Sequence, residues 1–160
     1  MVLGRATHLT WDPELEVMPA LSPDGRSVAY TAGPPAKFQV MIRDVAGGRA
    51  VHLTDDTTTG QTSPAWLPDG SRVFYLANAG VFSAPPGGGP ARPEIHGDTL
   101  TPIASVTFSP DGKQLGLSRG DSLLVRGPDR SVRGLARIAE ASQCSWSPNG
   151  TFIACASGNP

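Results

Sequence analysis

The chain has 160 residues, with 13 Lys+Arg against 14 Asp+Glu and a formal net charge of -1. That balance excludes a nucleic-acid arm or a strongly charged steering surface as its main theme. Its 19 Gly and 16 Pro exceed the usual share and argue against a helical bundle, for short elements joined by turns.

Residues 4–10, Gly4-Arg5-Ala6-Thr7-His8-Leu9-Thr10, match Gly48-Arg49-Ala50-Val51-His52-Leu53-Thr54 at six of seven positions. The first stretch therefore reads as a lone outer strand of a repeating unit. Met18 to Gly25 then forms a strand running into a Pro-Asp-Gly turn, followed by the alternating strand Ser27 to Thr31. Proline presets φ, Asp bonds its own backbone, and Gly takes positive φ without a Cβ clash. Phe38 to Val45 reads as a third strand and Ala50 to Thr54 as a fourth, with Gly47-Gly48 turning between them.

The same order returns three times. The turn pairs are Asp24-Gly25, Asp69-Gly70, Asp111-Gly112 and Asn149-Gly150, spaced by 45, 42 and 38 residues. That step suits a four-stranded propeller blade of roughly 40–45 residues. The expected fold is all-β: a β-propeller of four-stranded antiparallel blades, incomplete, in one domain over 1–160. Residues 18–54, 63–95 and 105–138 make three blades, and 143–157 supply the first hairpin of a fourth.

The Ser-Pro-Asp-Gly hairpins, the Leu-Thr strand ends (Leu9-Thr10, Leu53-Thr54) and the Gly-Gly turns resemble TolB-type, WD40-like β-propeller repeats. Leu67 and Asn149 depart from that pattern. The resemblance implies a non-catalytic module for protein or ligand binding, such as the propeller of the periplasmic Tol system. It equally covers propellers attached to bacterial protein kinases and transcription regulators. The alternative it implies is a gating propeller segment of a prolyl-oligopeptidase-type serine peptidase.

In such blades the long segments between units share one face, where binding usually resides. Those segments carry Asp12, Glu14, Glu16, Asp55, Asp56 and Asp98, with Glu140 beside them, and no Lys or Arg. Arg26, Arg49, Arg72, Lys113, Arg130 and Arg133 lie near the tight turns. The six acids are the candidate contact residues, suited to a protein or peptide with cationic groups. Unpaired blade faces also offer self-association. The binding-face loops lack the basic patch that nucleic acid needs. No run is long and apolar enough to read as a membrane span, and residues 1–10 do not read as a signal peptide. The sequence itself fixes no compartment, and the resemblance admits a periplasmic or other extracytoplasmic parent.

Other constellations read as structural. Gly120-Asp121-Ser122-Leu123 spells an esterase nucleophile motif, but a serine needs a base and His8, His52 and His96 all lie upstream. His8 and His52 occupy equivalent positions a repeat apart, so they do not converge on a metal. No cofactor is expected. Leu21, Trp66, Phe108 and Trp146 align as packing between blades. Cys144 and Cys155 fall opposite each other across the last hairpin, and a reduced pair is the expectation.

Overall fold

The computed structural model describes residues 8–10, 13–56, 58–78, 80–97, 100–139 and 141–158. Its strands are β1 (Glu16–Leu21), β2 (Ser27–Ala32), β3 (Gln39–Asp44) and β4 (Val51–His52); β5 (Thr62–Trp66), β6 (Val73–Ala77), β7 (Gly80–Ala84) and β8 (Arg92–Ile95). They continue as β9 (Ile103–Phe108), β10 (Leu115–Arg119), β11 (Ser122–Arg126) and β12 (Val132–Arg137), then β13 (Ala141–Trp146) and β14 (Ile153–Ser157). Among the described residues the only helix is a 3-10 turn over Pro35–Lys37. Three antiparallel sheets of four strands run in chain order, and β13 pairs with β14 alone. His8 to Thr10 form no strand, and the rest of the expected outer strand lies outside the described residues.

Each hairpin is tied off by its turn. Ser22 N–H donates to the Ser27 carbonyl at 2.8 Å, and Gly25 N–H to the Ser22 carbonyl at 2.9 Å. The Asp24 carboxylate accepts from the Ser22 hydroxyl at 2.6 Å and from Arg26 N–H at 3.1 Å. Gly25 has φ 71°, a conformation that would strain a side chain. Asp111 and Asn149 accept from the hydroxyls of Ser109 and Ser147 in the same way. The second repeat has Leu67 in that place; there the Ser71 hydroxyl reaches Asp69 from the other side at 2.6 Å.

Alternation divides the apolar residues of each strand between two faces, and the second sheet buries both, one in each of two clusters. Ala29, Val40, Ile42 and Leu53 meet Val73, Tyr75 and Ala84 between the first two sheets. Phe74, Leu76 and Val81 meet Ile103, Val106, Leu115 and Leu117 between the second and third. Trp66 spans the first junction, its indole N–H donating to the Ala20 carbonyl at 2.9 Å. At the third junction Trp146 needs a glycine opposite: a Cβ on Gly116 would stand 2.9 Å from Thr107 and 3.2 Å from the indole nitrogen.

The last hairpin holds a disulfide between Cys144 and Cys155, where the sequence suggested free thiols. The register explains the difference. Ser147 N–H bonds the Phe152 carbonyl, so alternation makes Cys144 and Cys155 a non-hydrogen-bonded pair. Side chains approach most closely at such pairs, and here the Cα atoms are 4.0 Å apart.

Candidate functional site

The innermost strands β1, β5, β9 and β13 stand side by side. Every one of them bulges. The irregularity falls between Val17 and Ala20, between Thr62 and Ala65, opposite Ser118/Arg119 in β9, and between Ala141 and Cys144. A bulge inserts an unpaired residue and re-aims its neighbours. Met18 and Ser63 take positive φ there, 55° and 53°. Such non-glycine conformations cost of order 1–3 kcal/mol each and need surrounding structure to hold them.

The bulges build a cleft of about 400 Å³ from repeat-equivalent residues. One ring of positions is Met18, Ser63, Ser105 and Gln143; the next is Pro19, Pro64, Val106 and Cys144. The first supplies polar groups and a thioether, the second an apolar wall. The Ser63 hydroxyl points at the Met18 sulfur, 3.3 Å away. Ser105 is fixed by the Ser118 hydroxyl at 2.8 Å and the Ser142 carbonyl at 3.1 Å. The first of these rings lies in the first half of each inner strand, the end that the blade-to-blade segments enter. Repeat alignment marks them as equivalent. The insertion that turns them toward one cleft leaves no trace in the alternation pattern.

The structure distributes the candidate acids. Glu14 is exposed and lines a cleft of about 320 Å³ with Lys37, His52 and Gln39. Lys37 comes from the β2–β3 loop, so a cation stands on the same face as the acids. Glu16 opens β1 and faces a separate cleft of about 220 Å³ beside Thr10, Val28 and Tyr30; one carboxylate oxygen accepts from the Thr10 hydroxyl. Asp55 is exposed. Asp56 is engaged within its own loop by Thr58 N–H at 2.9 Å, the Thr58 hydroxyl at 2.6 Å and Thr59 N–H at 3.3 Å. Those bonds, the Thr58 hydroxyl first, draw its pKa down to about 2. Its backbone carbonyl accepts from the buried Gln61 amide at 2.8 Å. Asp12 and Asp98 lie outside the described residues. Burial, then the Asp56 charge, raises the pKa of Tyr75 beneath this loop.

The turn carboxylates are bound too. The Ser22 hydroxyl lowers the pKa of Asp24, the Ser71 hydroxyl that of Asp69 and the Ser109 hydroxyl that of Asp111. Gly70, Gly112 and Gly150 share the positive φ of Gly25, at 73°, 69° and 72°. Ser122, in the esterase-like tetrapeptide, pairs with Arg119 across the tight β10–β11 turn. No group of three or more His, Cys, Asp or Glu among the described residues could hold a metal ion. No helix there is long and apolar enough to cross a membrane.

Four-stranded antiparallel sheets set side by side around a row of inner strands form part of a β-propeller. No family model matches the chain. Among solved structures it is similar to TolB from Agrobacterium tumefaciens, with a TM-score of 0.74 and 18% identity over 92% of this chain and 60% of that one. The fold is therefore that of the TolB-type propellers. Among curated proteins it is similar to dipeptidyl-peptidase 5 of Porphyromonas endodontalis, 34% identical over 108 residues and 60% of this chain. It is also similar to the uncharacterized peptidase YuxL of Bacillus subtilis, 26% identical over 159 residues and 94% of this chain. The chain spans 15% and 23% of the lengths of these two relatives.

Proposed function

We infer that this propeller segment is a non-catalytic binding module. Its contact surface is the inner-strand cleft together with the blade-to-blade loops at the same end. The observation that carries this reading is the convergence of four bulged inner strands on one cleft of about 400 Å³. Bulges and strained non-glycine backbone, here at Met18 and Ser63, cluster at functional sites. Glu14 and Asp55 at the loop end favour a protein or peptide bearing cationic groups. The Cys144–Cys155 disulfide suits an oxidising compartment, hence an extracytoplasmic parent. A sensor or interaction segment of a larger bacterial protein fits these features.

A second reading has a specific observation behind it. The peptidase YuxL is matched over 94% of this chain, so the segment suits the regulatory propeller of a serine peptidase. The cleft would then admit or orient a peptide.

Filling the cleft tests the shared claim. Gln143 is exposed, lines the cleft and has no positive φ, so Gln143→Trp sets a larger side chain at its opening. Calorimetric titration with a blocked hexapeptide of alternating Lys and Gly should show binding that weakens with salt and is lost in the variant. Binding indifferent to both would overturn the reading.

A further inference from the structure

The outer edges of the three complete sheets differ. β4 is two residues long. β8 contains Pro93 and turns Glu94 inward, where it accepts from the Ser83 hydroxyl at 2.7 Å. Short length, proline and an inward charge are among the devices that keep an edge from pairing with another chain. β12 has none of these three; it carries two arginines and one bulge instead. It runs six residues, Val132-Arg133-Gly134-Leu135-Ala136-Arg137, and all six are exposed. Val132 and Leu135 are 54% and 49% exposed.

The free backbone groups can be assigned. Gly127 N–H bonds the Ser131 carbonyl at one end of the β11–β12 ladder, and Ile138 N–H bonds the Asp121 carbonyl at the other, each at 2.9 Å. Hydrogen-bonded and open pairs alternate along an antiparallel ladder. With the bulge between Gly134 and Ala136, the N–H and C=O groups of Val132, Gly134 and Arg137 face away from β11. A Cβ on Gly134 would meet nothing within 4 Å.

Charge chooses the occupant. Arg133 and Arg137 lie on the strand. Lys113, Arg126 and Arg130 share a cleft of about 180 Å³ with Leu67, Phe74 and Phe108, at the turn end of the junction between the second and third sheets. The nearby carboxylates Asp111 and Asp129 are each occupied by turn bonds of their own. A second copy of β12 would bring arginines against arginines, and like charges across a strand pair are destabilising.

We propose that β12 is a strand-addition site for an extended acidic peptide segment. The segment pairs with the outward groups of Val132, Gly134 and Arg137, and its carboxylates meet Arg133 on one face of the sheet and Arg137 on the other. Main-chain bonds supply affinity in this mode, and alternate side chains supply specificity. The site is independent of the inner cleft and of the reading built on it.

The test uses the isotope-labelled 160-residue chain and a blocked hexapeptide, Val-Glu-Glu-Val-Glu-Glu, which carries Glu on both faces of the strand. Peptide binding should slow amide exchange at Val132, Gly134 and Arg137 by at least about tenfold. Arg133 and Ala136, already bonded to β11, should change far less. Gly134→Pro removes the central outward donor and should weaken binding by about tenfold, the worth of one or two interstrand bonds. A peptide N-methylated at its pairing amides should lose as much on the unaltered protein, which keeps the test independent of the variant's folding. Arg133→Glu with Arg137→Glu should shift preference to the same peptide carrying Lys for Glu. Absence of protection at the three amides would overturn the proposal. So would binding that survives N-methylation and follows salt alone, since that is charge attraction without strand addition.

Discussion

Trp66 and Trp146 occupy the same position in two repeats, yet their indole nitrogens meet different fates. Trp66 donates to the Ala20 carbonyl at 2.9 Å, while the buried Nε1 of Trp146 has no acceptor. Both rings are half-buried, so replacing each by Phe removes similar apolar contact. The difference isolates the polar atom. Trp66→Phe loses a hydrogen bond worth about 1 kcal/mol and leaves the Ala20 carbonyl without that donor. Trp146→Phe removes an unsatisfied buried donor, whose desolvation costs about 1–3 kcal/mol. The Trp66 variant should therefore be less stable than the Trp146 variant by about 2 kcal/mol. Urea unfolding followed by far-ultraviolet circular dichroism reads this without relying on tryptophan emission. Equal losses, or a larger loss at Trp146, would refute the assignment of these two junctions.

Further outcomes follow from the same geometry. Leu53 is fully buried between the first two sheets, so Leu53→Ala should cost about 2–5 kcal/mol in urea unfolding. The carboxyl pKa of Asp56 falls from 3.8 to about 2 on folding, and those of Asp24, Asp69, Asp111 and Asp129 are also lowered. Groups with depressed folded pKa values stabilise the fold above their unfolded pKa and lose that contribution as pH falls through the folded value. Thermal stability should therefore decline as pH drops from about 4 to about 2, and Asp56→Asn should flatten the decline. Thiol titration of the denatured, unreduced protein should find no free thiol; two would contradict the disulfide.

The sequence made the sheets legible because each hairpin is written in residues with one mechanical role. Pro23-Asp24-Gly25 and its three equivalents can scarcely do anything but turn, and alternation on either side sets the register. Leu21 opposite Val28 and Trp146 opposite Ile153 are the observed pairs. The inner-strand bulges stayed hidden because one inserted residue is smaller than the natural variation in repeat length. Met18 and Ser63 carry no signal of positive φ, since neither is Gly, Asn or Asp. The acids looked like one surface in the sequence because loop membership ignores direction. Glu14 and Glu16 are two residues apart and line different clefts, while Asp56 turns back on Thr58. The disulfide is not legible in the sequence because pair identity fixes which residues are opposite, while the hydrogen-bonding class of the pair decides how near their sulfurs come.

The central claim is that partners meet the inner-strand cleft and the loop end of the blades. Amide chemical-shift mapping with the alternating Lys-Gly hexapeptide tests it most directly. The account predicts shifts concentrated at Glu16 to Met18, Asp55, Gln61 to Ser63, Ile103 to Ser105 and Ser142 to Cys144. Shifts gathered instead on the hairpin turns around Asp24, Asp69, Asp111 and Asn149 would contradict it.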